Sequence, residues 1–81
     1  MKLINIGFSN LINSDRIVAV LSPDSAPAKR IVGDAKKNKR LIDATQGRKT
    51  ESVIITDSDH IVLSYLSNDD ILQKHNETEE A

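Results

Sequence analysis

With 81 residues, no cysteine and a formal net charge of −1, the chain has the size of one small domain. A disulfide framework, a thiolate zinc site and a cysteine nucleophile are excluded. No basic segment leads into a long apolar one, and no apolar run approaches the roughly 20 residues that span a bilayer, so a cytoplasmic protein with no membrane partner is expected.

Residues 3–8 (LINIGF) read as a first strand, with Gly7 marking a bulge or the close approach of another backbone. Asn10, Asn13, Ser14 and Asp15 break that pattern, and RIVAVL from Arg16 to Leu21 resumes it as a second strand. SPDSAPAKR (22–30) begins a helix. Ser25 is the expected cap, Asp24 suits the positive helix end, and Pro27 fits the first turn, where its missing N–H is not needed. The helix should run to about Asn38. Ala28, Ile31, Val32 and Ala35 make its buried stripe, with Lys29, Arg30, Lys36 and Lys37 around it.

LIDATQGRKT (41–50) is the most informative stretch. A strand from Leu41 to Ala44, a tight turn pivoting on Gly47 and a return strand from Ser52 to Thr56 predict a hairpin with Arg48 and Lys49 at its tip. His60–Leu66 is the last strand, after a turn at Asp57, Ser58 and Asp59. Asn68 or Asp69 then caps a short closing helix through about His75. The fold class expected is α+β: a small, mainly antiparallel sheet of about five strands with one main helix, in a single domain over residues 1–75. Residues 76–81, with Glu77, Glu79 and Glu80, read as an acidic, disordered tail.

Two inferences concern partners. Between Ala28 and Lys49, eight Lys and Arg residues face only Asp34 and Asp43, whereas the rest of the chain carries three cations against ten acids. A basic patch with acidic flanks points to a polyanion, although a Lys-rich helix face is often only a solvated one. VII (53–55) and IVL (61–63) are continuous apolar runs, so their strands need cover on both faces. One short helix supplies one cover; a second copy of the chain is expected to supply the other.

Catalysis is not expected: no nucleophile stands at workable spacing from a base and no glycine loop cradles a phosphate, so neither a cofactor nor a small-molecule substrate is implied. The Asp57, Ser58, Asp59, His60 cluster holds metal-ligand types, but neighbours on a strand point to alternate sides, so no metal site is expected. Asp43, inside a strand, either faces solvent or pairs with an arginine at a subunit contact. The helix cations offer a second possible DNA surface, though no helix-turn-helix partner precedes them.

INIGF (4–8), Arg16, SPDSAPAKR (22–30), LIDATQGRKT (41–50) and DSDHIVLS (57–64), in this order from about residue 2 to residue 66, resemble the RemA family of bacterial extracellular-matrix regulators. The resemblance implies a transcriptional regulator that binds double-stranded DNA, activates biofilm-matrix genes and acts as a ring-shaped homo-oligomer with a domain related to the LytTR DNA-binding fold. The family's implicated basic positions fall on Arg16 and on Arg48 with Lys49; Arg30 and Lys29 are secondary candidates. Pro27, Gly7 and Gly47 are assigned structural roles. Two alternatives stay open: an oligomeric module whose basic patch meets acidic proteins, and an RNA binder, which the scarcity of aromatics disfavours.

Overall fold

The computed structural model describes residues 2–80. Leu3–Asn5 (β1) and Leu11–Asn13 (β2) form an antiparallel ribbon. Ile17–Leu21 (β3), Leu41–Asp43 (β4), Ser52–Thr56 (β5) and Ile61–Ser64 (β6) form a four-stranded sheet in the order β3-β5-β6-β4. Two helices, Ala26–Lys37 (α1) and Asn68–Glu80 (α2), complete the α+β fold. Pairing is antiparallel except between β4 and β6, which run parallel.

Among the described residues there are thus six strands in two sheets where about five in one sheet were expected. The additional one is β2, hidden in the sequence because it is only three residues long, follows Asn10 and ends on Asn13, and so shows no legible alternation. The predicted hairpin between residues 41–44 and 52–56 does not form. β6 lies between β4 and β5, so residues 44–51 cross over a strand instead of turning back beside one. α2 also runs past the stop expected near His75 and includes residues 76–80; Ala81 lies outside the described residues.

α1 forms where its start signals place it. Ser25 Oγ accepts from the Ala28 amide at 3.3 Å, and Pro27 lies in the first turn, where no donor is missed. The helix ends by a left-handed Lys39 (φ 59°), with the Arg40 amide donating to Ala35 O at 2.9 Å. Ala28 and Ala35 are buried, and with Ile31 and Val32 they cover Val53, Ile55, Ile61 and Leu63 on one face of the sheet.

The alternate residues of the same runs point the other way. Ile54 and Val62 pack with Ile4, Ile6, Ala44 and Ile71. The continuous runs therefore are covered on both faces, but the second cover is the chain's own β1–β2 ribbon and α2, not another copy. Burial of each such Val or Ile contributes about 1.5–3 kcal/mol.

Two fully buried serines, paired across β5 and β6, tie these layers together. Ser64 Oγ donates to Ile6 O at 2.7 Å, joining sheet to ribbon. Ser52 Oγ donates to Leu66 O at 2.6 Å and lies 2.7 Å from Asn68 Oδ1 at the start of α2. Asn68 is thereby engaged with the sheet, and Ser67 is the cap instead: its Oγ accepts from the Asp70 amide at 3.1 Å. Ser64→Ala strands a carbonyl between the ribbon and the sheet, and urea unfolding should show a loss of about 1–3 kcal/mol.

Candidate nucleic-acid interface

The crossing segment begins at Ala44, whose amide donates to Leu63 O at 3.0 Å, and ends at Glu51, whose amide donates to Ser64 O at 2.9 Å. Both anchors sit on the last two residues of β6, so the segment arches over the C-terminal end of that strand. Its crest is a tight turn in which the Arg48 amide donates to Thr45 O at 3.0 Å, with positive φ at both Gln46 (50°) and Gly47 (83°). Positive φ at both central residues defines a type I′ turn, and Gly47 is the pivot the sequence implied. Gln46, Gly47, Arg48 and Lys49 are all exposed.

Asp43 sets the launch angle of this arch. Its Oδ1 accepts from Thr45 Oγ1 at 2.6 Å and from the Thr45 amide at 2.9 Å. The exposed carboxylate thus closes an Asx-type turn within its own chain. These two bonds, the hydroxyl first, hold the Asp43 carboxyl below its ordinary value of 3.8, against a small opposing effect of burial. A depressed value means a contribution to stability that is present above 3.8 and lost as pH falls through the folded-state value. Asp43→Asn keeps the acceptor oxygen and removes the charge. Its stability deficit against wild type should be measurable by urea unfolding at neutral pH and should shrink in acid below 3.8.

Lys29 on α1 and Thr50 at the end of the arch line one shallow recess, so Lys29 belongs to the same end of the molecule as Arg48 and Lys49. Arg30 is exposed on the same helix. Among the described residues, none of these four cations is held by a carboxylate.

Arg16 is placed differently. It precedes Ile17, which pairs with Thr56 at the far end of β5, whereas the arch joins β5 at its beginning. A five-residue strand separates the two sites by about 17 Å. Arg16 and the basic turn therefore do not converge on one sheet edge within a single chain. Arg16 Nε also donates to both oxygens of Asp57 at 2.8 Å, in an exposed pair. The Asp57 side chain is thus engaged by an arginine, while its backbone opens the expected turn. In that turn, Ser58 Oγ lies 2.8 Å from His60 Nδ1, and Asp59 takes a left-handed φ of 64°.

Two residues not singled out for the site lie against it. The ring of Tyr65, directly after β6, stands beneath the arch, with Arg48 Cζ 5.7 Å from its centroid. The ring of Phe8 is 4.9 Å away, tilted by 42°. The one signal in the sequence was that these are the chain's only aromatics.

Comparison with known proteins gives a consistent picture. The family described as Extracellular matrix regulatory protein A-like, or RemA-like, matches residues 3–74. A protein of Thermodesulfovibrio yellowstonii is 57% identical over 75 residues, covering 93% of this chain and 88% of the relative. One of Dictyoglomus turgidum is 65% identical over 66 residues, covering 82% and 78%. One of Thermoanaerobacter sp. strain X514 is 54% identical over 80 residues, covering 99% and 83%. The names of all three provisionally call them regulatory proteins. No helix among the described residues is long and apolar enough to cross a membrane.

Proposed function

The chain belongs to the RemA-like family of extracellular matrix regulatory proteins, and on that premise we propose that it is a non-catalytic, DNA-binding transcriptional regulator acting as a ring-shaped homo-oligomer. The activation of biofilm-matrix genes and the kinship with the LytTR fold that the resemblance implies belong to the same proposal. The observation that carries it is the arch: a type I′ turn holds Arg48 and Lys49 in solvent, at the same end of the molecule as Lys29 and, among the described residues, without carboxylate partners. Such a turn grips phosphate and reads no base, so binding tolerates sequence variation. Arg16, a strand length away and shared with Asp57, makes a separate and weaker contact.

Two or three phosphate contacts per copy bind feebly, since each contributes about 0.9 to the salt slope. Repetition around a ring multiplies them through effective concentration. Surface is available for assembly: Leu11, Val18 and Ile42 are 59%, 65% and 49% exposed, and β3 and β4 are the open edges of the sheet. A contact joining unlike edges is heterologous, and heterologous contacts close into rings when the rotation allows.

The test is fluorescence anisotropy of a labelled duplex over a salt series, paired with light scattering for the oligomer. Tight binding to a duplex long enough to cross several copies, steep in salt and weak on a short duplex, is the expected result. No binding at low salt would move the basic patch to an acidic protein partner.

A further inference from the structure

The placement of Arg48 on an aromatic ring has a cause outside its own loop. Residues 6–10 form a turn closed by Ile6 N donating to Asn10 O and Asn10 N donating to Gly7 O, both at 2.9 Å. Phe8 (φ 54°) and Ser9 (φ 64°) are left-handed, an arrangement that side chains rarely adopt. This turn delivers two things to Tyr65. Phe8 lays its ring against it, and Gly7 offers bare backbone: a Cβ there would come within 2.7 Å of Tyr65 Cδ1. The ring is thereby fixed between the first turn of the chain and the arch that carries Arg48.

We propose that Tyr65 is a positioning residue for the DNA contact, holding the Arg48 guanidinium ready for phosphate through its ring face, with Gly7 and Phe8 as its brace. The proposal rests on the DNA-binding reading above. A free arginine loses many rotamers when it grips a phosphate; one already resting on a ring has lost part of them beforehand. Contact through the ring face uses none of the five N–H donors, so all remain for phosphate oxygens. The phenolic oxygen has no part in this, and phenylalanine should serve as well.

The experiment has two arms. In the free protein, NMR should show the Arg48 side-chain protons shifted upfield by the ring current, a shift kept in Tyr65→Phe and lost in Tyr65→Leu. In duplex titrations over salt, Tyr65→Leu should weaken binding by about two- to fivefold per engaged subunit with the salt slope unchanged, because the same phosphates are met. Arg48→Ala instead should lower the slope itself, and Tyr65→Phe should bind with wild-type affinity and wild-type slope. An unshifted Arg48 in wild type, or wild-type affinity in folded Tyr65→Leu, overturns the proposal. Should Tyr65→Leu fail to fold, the ring-current shift in wild type decides alone. A shifted Arg48 in a wild-type protein that binds no duplex at low salt overturns the DNA-binding reading, and the role given to Tyr65 with it.

Discussion

Replacing Arg48 and Lys49 together by alanine is expected to abolish binding to a long duplex, a loss of more than about a hundredfold at low salt. Each copy then loses two of its exposed cations, and every engaged copy in the assembly loses the same two. The loss compounds with the number of copies, so it should be far larger on a long duplex than on a short one. The fold and the assembly should not change. Both side chains are exposed, neither holds a carboxylate among the described residues, and the bond closing the turn runs between the backbones of Thr45 and Arg48. Light scattering should therefore give the wild-type mass while anisotropy stays flat. Binding equal to wild type at low salt would remove the arch from the interface. Lys49→Arg makes the opposite change, adding the planar fork that grips phosphate bidentately, and should raise affinity at constant slope.

Why the arch was legible in part follows from which forces are local. Gly47 announces its own positive φ, and Ser25 with Pro27 announces the start of α1, because those preferences are satisfied within a turn of chain. The unbroken apolar runs VII and IVL correctly demanded two covers. What supplies the second cover is decided by contacts such as Ser64 Oγ to Ile6 O, 58 residues apart, which no local pattern encodes. The same is true of the hairpin that does not form. Leu41–Asp43 has strand propensity and a turn follows, but the strand it pairs with, Ile61–Ser64, is chosen by tertiary packing.

The basic residues divide along the same line. Arg48 and Lys49 lie on a turn whose chemistry is written beside them. Arg16 meets Asp57 across 41 positions, and that pairing, which shares its charge, was invisible. Tyr65 read as one more strand residue, since its neighbours Gly7, Phe8 and Arg48 come from two distant turns.

Gly7 is where these distant contacts meet, and Gly7→Ala should be the most damaging single methyl in the chain. Its φ of 117° lies where an L side chain is strained, which costs on the order of 1–3 kcal/mol. The added carbon also would press into the Tyr65 ring, and overpacking of this kind costs about 1–3 kcal/mol more. Relief by backbone movement is closed off, because Phe8 and Ser9 already sit at positive φ and the Gly7 amide donates to Asn5 Oδ1 at 2.7 Å. The sum, about 2–6 kcal/mol, is a large share of the roughly 4–12 kcal/mol that holds a domain of this size together. Urea unfolding should show the midpoint falling steeply with little change in slope. Gly33→Ala is the matched control: a Cβ at this position in α1 meets nothing within 4 Å, and alanine should stabilise the helix by about 0.5–1 kcal/mol. Two glycine-to-alanine changes in one small domain should thus move stability in opposite directions. Only the one beneath Tyr65 should also weaken DNA binding, since displacing that ring withdraws the support from Arg48.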